Sequence, residues 1–224
     1  EEFVLASAQW GEFPSTGRFV REGYASYGDV CHTYYPALVE MSRAGWEPEP
    51  LAEGCRVERF GKREVLYFTV RAPQEARRVT LTILPEAIAG IREPVVMDAV
   101  QLEPVPARLT PQGLQVELTD GAEVLTVLRV SSRADVAAWL LARAAHHCDN
   151  AARVRGKTDL TPRLLALGRE VRALRPAGDS RVGDLVARLR HEAAGLKAGD
   201  LEYTSCLTEI SDALRALGEW LLWN

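Results

Sequence analysis

The sequence is short of the features that announce membranes, metals and nucleotides. It contains no apolar run of about 18 residues or more, so no membrane-crossing helix is expected. Its four cysteines, Cys31, Cys55, Cys148 and Cys206, lie far apart and form no CxxC pair. That spacing argues against a zinc ribbon and a small disulfide framework, favours free buried thiols over a single bridge, and leaves the redox compartment open. There is no GxGxxG, no GxxxxGK[ST] and no GxSxG, which removes the signals for a dinucleotide site, a phosphate cradle and a hydrolase elbow. Positive charge is not in excess either: 27 Lys and Arg stand against 31 Asp and Glu, a net charge of −4. The arginines are interleaved with acids, so no field is available to attract nucleic acid. No cofactor and no nucleic-acid partner are expected. The chain opens on Glu1-Glu2 without a basic-then-apolar leader, the pattern expected of a processed, trimmed or fragmentary chain.

What is present falls into three rhythms, which predict three regions: a terminal α/β unit over 1–50, an antiparallel β-sandwich over 51–131 and a helical bundle over 132–224. In the first, "FVLASAQW" (3–10) is compatible with a buried strand or a helix end, "GEFPSTG" (11–17) is turn-rich, and "REGYASYGD" (21–29) reads as a loop. A helix follows in "HTYYPALVEMSRAGWEP" (32–48), where Tyr34, Leu38 and Met41 share a face, Gly45 stands at the stop and Pro48 follows it. Strand, loop, helix and stop make one α/β unit, which cannot bury both faces alone.

In the second region, Leu66, Phe68 and Val70 alternate with Tyr67 and Thr69, Val79, Leu81 and Ile83 with Thr80 and Thr82, and Leu114, Val116 and Leu118 with Gln115 and Glu117. "EVLTVLRV" (123–130) is apolar on both sides and predicts a central strand, while "CRVERFG" (55–61) and "PVVMDAVQLEPV" (94–105) add further strands. In the third, Ser132 with Asp135 resembles a capping box ahead of Val136, Trp139, Leu140, Ala144, His147, Ala151 and Val154. Thr161-Pro162 marks a second start, and "RPAGD" (175–179) ends that helix. A third helix carries Val182, Leu185, Val186, Leu189 and Leu196. A fourth has Leu207, Ile210, Leu214, Leu217 and Leu221 in a seam of threes and fours. Four helices with short connections predict an antiparallel four-helix bundle.

Few residues carry a chemical signal. "HHCD" (146–149) contains metal-ligand types, but neighbouring helical residues point about 100° apart and the i, i+4 ligand spacing is absent. His147 lies on the apolar stripe and reads as a buried neutral histidine; no metal is expected. Cys31-His32 are sequence neighbours, which seldom make the spatial contact that thiol catalysis needs. Glu209 and Asp212, at i, i+3, mark a solvated face, and Trp220 and Trp223 either anchor the last helix or form a contact patch. Trp10 and Glu12 in "QWGEFP" are the candidate substrate contacts. A flat ring beside a carboxylate suits sugars, the alternative being a packed Trp10 and a solvated Glu12.

The order of segments adds a resemblance. "YYPALVEMSRAGWEP" followed by "VERFG", "LYFTVRAPQEARRVTLTI" and "GLQVELTDGAEVLTVLRV" resembles the end of a glycoside hydrolase-type (β/α) barrel running into its C-terminal β-sandwich. The resemblance covers roughly residues 1–130; the helical tail matches nothing in it. It implies an accessory region of a carbohydrate-active protein, packed against a catalytic barrel that lies elsewhere, with carbohydrate as ligand and no catalytic residue in this chain. The alternative is a stand-alone β-sandwich module that binds carbohydrate or protein, with the helical bundle mediating homo-oligomers.

Overall fold

The structure is a computed structural model that describes residues 2–11, 21–71, 78–119, 125–153, 161–175, 181–195 and 201–222. Among these residues it has mixed α and β content, with two antiparallel sheets and seven helices. Contacts divide the chain into two units, Glu1–Arg133 and Ala134–Asn224.

The first unit begins with α1 (Glu2–Gln9) and α2 (Arg21–Ala44). The strand expected over 3–10 is therefore a helix, because a short apolar run without clear alternation fits either element and only its packing decides. The loop expected over 21–29 is also helical. Positions 24, 27, 31, 34, 38 and 41 step by threes and fours, so one stripe continues through Gly23 and Gly28. Pro36 lies inside α2 and removes the N–H that would bond the carbonyl of residue 32, a cost the packing of the helix overrides. Gly45 ends α2 where the sequence predicts, with φ +84° and its N–H bonded to the Met41 carbonyl at 3.0 Å.

Ten strands follow: β1 (Trp46–Glu47), β2 (Ala52–Glu53), β3 (Arg56–Phe60), β4 (Val65–Arg71), β5 (Arg78–Ile83), β6 (Pro94–Asp98), β7 (Pro104–Val105), β8 (Ala107–Thr110), β9 (Gly113–Thr119) and β10 (Thr126–Ser132). A short helix, α3 (Pro85–Ile88), links β5 to β6. One sheet runs β1-β3-β4-β10-β6-β7 and the other β2-β5-β9-β8. The central position predicted for "EVLTVLRV" is that of β10, between β4 and β6.

One cluster of buried side chains draws on both sheets. Leu66, Phe68, Val70, Val96, Leu128 and Val130 come from the larger, and Leu81, Ile83, Leu114 and Val116 from the smaller. The opposite face of the larger sheet meets the helices. Tyr67 Oη donates to Glu40 Oε2 on α2 at 3.1 Å, and Thr69 Oγ1 donates to the Gln9 carbonyl on α1 at 2.7 Å. With both faces covered, β4 and β10 are buried along almost their whole length rather than alternately.

The Tyr34–Leu38–Met41 face, expected to belong to a layer left open, is covered within the chain. Leu38 and Met41 have no exposed surface, and Tyr34 Oη donates to the Leu125 carbonyl at 3.0 Å. Each such aliphatic side chain contributes about 1.5–3 kcal/mol by leaving water. The helix finds its partner in this antiparallel sheet, and the strand–loop–helix unit expected over 1–50 is replaced, among the described residues, by two helices that pack on it.

The second unit holds α4 (Arg133–Arg153, begun in the first unit), α5 (Thr161–Arg172), α6 (Arg181–Ala194) and α7 (Leu201–Leu222). Asp149 on α4 pairs with Arg172 on α5, Glu170 on α5 with Arg188 on α6 at 2.9 Å, and Val182 on α6 packs against Gly218 on α7. "RPAGD" lies, after its first residue, outside the described residues. Leu207, Ile210, Leu214 and Leu217 of the α7 seam are buried in the single chain, as is Trp220. The seam is thus not free to join a second copy. Trp223 lies outside the described residues.

Candidate functional site

The site starts from a pairing of two short segments. "AGWEP" (44–48) and "VERFG" (57–61) lie side by side as β1 and β3, with Trp46 opposite Phe60 and Glu47 opposite Arg59. The Gly61 N–H bonds the Gly45 carbonyl at 2.8 Å, so the end of α2 is tied to the end of β3. Gly61 has φ +85°, and a Cβ there would fall 2.5 Å from the Val65 carbonyl oxygen; only glycine fits. Glu47 accepts from Lys62 Nζ at 3.0 Å and lies 3.7 Å from Arg59 Nη2, so one carboxylate on β1 is shared by two bases.

Alternation along β3 places Arg56, Glu58 and Phe60 on one face and Val57 in the core between the sheets. Phe60 is buried, but its two neighbours on that face are not. Two indoles border them. Trp46 is 50% exposed and donates its Nε1–H to Glu58 Oε2 at 3.1 Å. Trp10 is 43% exposed and lies with its ring centroid 5.8 Å from the Arg56 guanidinium carbon. The turn that delivers Trp10 follows from α1: Trp10 N–H bonds the Ser7 carbonyl and Gly11 N–H the Ala8 carbonyl. Gly11 then passes so close to Phe60 that a Cβ would come within 2.5 Å of its ring. The result is a strip of indole, guanidinium, carboxylate and indole. It offers flat apolar faces between groups that donate and accept hydrogen bonds.

Of the sequence-predicted contacts, Trp10 is on this strip and Glu12 lies outside the described residues. Trp46, Arg56 and Glu58 were not singled out by the sequence. The alternation of β3 places Arg56 and Glu58 on one face, but the approach of Trp10 and Trp46 to that face appears only with the packing of α1 and the pairing of β1.

A second cluster of ionisable groups lies in the helical unit. His147 is buried on α4, with Nε2 3.7 Å from Glu209 Oε2 on α7 and no hydrogen bond to that nitrogen. Burial lowers its pKa to about 3, with Arg143 and His146 adding to the effect, so the ring is neutral. Glu209 is not on a solvated face: it turns toward α4, and desolvation raises its pKa. Asp212, one turn on, lies 3.9 Å from Arg215. Arg143 is buried with its guanidinium over the Trp139 ring. His146 points elsewhere, its Nε2 3.1 Å from the Asn150 side-chain amide. Cys148 is a buried free thiol with its pKa pushed up to about 12 by burial, which makes it unreactive. Cys55, like Cys148, is a free thiol.

Among the described residues, no group of three or more His, Cys, Asp and Glu is placed to hold a metal ion. No helix among them is long and apolar enough to cross a membrane. No family model, curated protein or solved structure matches the chain.

Proposed function

We propose that the chain is a non-catalytic accessory region of a glycoside hydrolase-like, carbohydrate-active protein, and that the β3 strip contacts saccharide. In this reading the two sheets form an antiparallel β-sandwich and α4 to α7 an antiparallel four-helix bundle. The reading does not extend to a barrel remnant over 1–50, because α1 stands where its strand was expected and the Tyr34–Leu38–Met41 face packs within the chain. The cluster shared by both sheets supports the sandwich, and the α4–α5, α5–α6, α6–α7 and α4–α7 contacts support the bundle. The pairing of "AGWEP" with "VERFG" supports a built junction at the end of α2.

The observation that carries the functional reading is the exposure of Trp10 and Trp46 on one face of β3, with Arg56 and Glu58 beside them. Indoles contribute most to binding where they stack on an apolar face, and the C–H faces of a pyranose provide one. The sugar hydroxyls then meet the guanidinium and the carboxylate.

Co-sedimentation of the chain with insoluble polysaccharides tests this. Retention on at least one polysaccharide is expected, weakened about tenfold or more in a Trp10→Ala/Trp46→Ala variant that keeps its circular dichroism spectrum. Retention unaffected by that variant removes the strip from the account, and robust turnover of aryl glycosides by this chain overturns the non-catalytic assignment.

A further inference from the structure

The cross-strand pairs of β3 and β4 contain one that is electrostatically unfavourable. Val57 stands opposite Val70 and Phe60 opposite Tyr67, but Arg56 stands opposite Arg71. Side chains so placed have Cβ atoms about 5 Å apart, and like charges there repel. Among the described residues neither guanidinium has a carboxylate in ion-pair range. The acid nearest in sequence on the same face, Glu58, is engaged by Trp46 Nε1. The Arg56 guanidinium lies over the Trp10 ring, which is itself half-exposed.

We infer that Arg56 and Arg71, beside Trp10, form a subsite for the anionic group of an acidic sugar, the carboxylate of a uronic acid. This rests on the saccharide reading of the β3 strip and names the class of sugar. A carboxylate has two oxygens and a guanidinium presents paired N–H donors, so one carboxylate between two arginines satisfies both and cancels their repulsion. The sugar ring carrying it then lies against Trp10. A sulfate ester carries the same chemistry of a compact oxyanion on a pyranose. The net charge of −4 supplies no long-range attraction for a polyanion, so the preference comes from these two side chains at contact distance.

The test uses calorimetric titration of the full chain with oligomers of galacturonic and glucuronic acid, the same oligomers methyl-esterified to remove only the charge, and a sulfated galactan oligomer. The free acid of at least one oligomer is expected to bind about tenfold more tightly than its ester, as fits a hydrogen bond to a charged group. The ratio is expected to fall toward one in Arg71→Gln and in Arg56→Gln, and to shrink as salt is raised. Stronger binding of the sulfated oligomer, lost in the same variants, supports the anion subsite and assigns it to a sulfate ester. Equal affinity for acid and ester overturns the subsite while leaving the saccharide reading in place. Binding of none of these oligomers, together with no retention on any polysaccharide, overturns both.

Discussion

Trp46 donates its indole N–H to Glu58 at 3.1 Å while half of its surface stays in water. The bond joins β1 to β3 and sets the direction of a ring that packing alone would leave loose. Glu58→Ala is expected to free that ring at little cost to the fold, about 0–1 kcal/mol, because the bond is exposed. Tryptophan fluorescence reads the first effect as stronger quenching by acrylamide, and urea denaturation reads the second. Unchanged quenching would mean that the bond does not hold the ring.

The tie between the end of α2 and β3 depends on glycine at 61. Gly61→Ala puts a Cβ against the Val65 carbonyl at positive φ and is expected to cost about 1–3 kcal/mol. Gly183→Ala, in α6, is the contrast: a Cβ there meets nothing within 4 Å, and the change is expected to be neutral or to stabilise by about 0.4–1 kcal/mol. Urea midpoints of the two variants decide it, and equal effects would contradict the account.

Tyr67 links the sheet to α2 through Glu40, and burial raises its phenol pKa well above the ordinary value, with the Glu40 charge adding to the rise. Tyr67→Phe keeps the ring and removes the donor. The loss is expected to be about 1–2 kcal/mol, measured by denaturation at pH 7. A neutral or stabilising result would show that the bond contributes nothing to holding the helix on the sheet.

Acid should destabilise the helical unit through His147. Its pKa is lowered from 6.5 to about 3, so between those values the unfolded chain binds a proton that the folded chain refuses. Stability is therefore full above pH 6.5 and falls as the pH drops through that window. Glu209 acts in the opposite sense. Its raised pKa makes the folded form hold a proton, a contribution present at low pH and lost as pH rises through the folded value. The two contributions oppose each other, and replacing His147 isolates the histidine's share. In His147→Gln the difference in unfolding free energy between pH 7 and pH 5 is expected to shrink by about 1–2 kcal/mol. A pH dependence identical to that of the parent chain would contradict the assignment.

Much of the architecture is written in periodicity. The alternation of Leu66, Phe68 and Val70 or of Leu81 and Ile83 marks strands because one face of each meets a shared core. The seam of Leu207, Ile210, Leu214 and Leu217 marks a helix for the same reason. Misread segments lack a one-sided pattern or carry a breaker. The run over 3–10 is apolar without a period, and Gly23, Gly28 and Pro36 interrupt a stripe that nonetheless continues through α2. The candidate strip was legible only at Trp10. Trp46 sits on a strand of two residues, too short to leave a pattern, and the confrontation of Arg56 with Arg71 depends on register between strands. Glu209 was misplaced because i, i+3 carboxylates do not reveal which partner helix faces them.

The central claim, a saccharide strip on β3, is tested most directly by the indole N–H resonances of the tryptophans. The chain would be titrated with the oligosaccharides that it binds, and the signals assigned by Trp→Phe substitution. Trp10 and Trp46 are half-exposed, whereas Trp139 and Trp220 are buried. The account predicts that the Trp10 and Trp46 signals shift in a saturable way while those of Trp139 and Trp220 stay in place. Saturable binding that leaves Trp10 and Trp46 unmoved would contradict it.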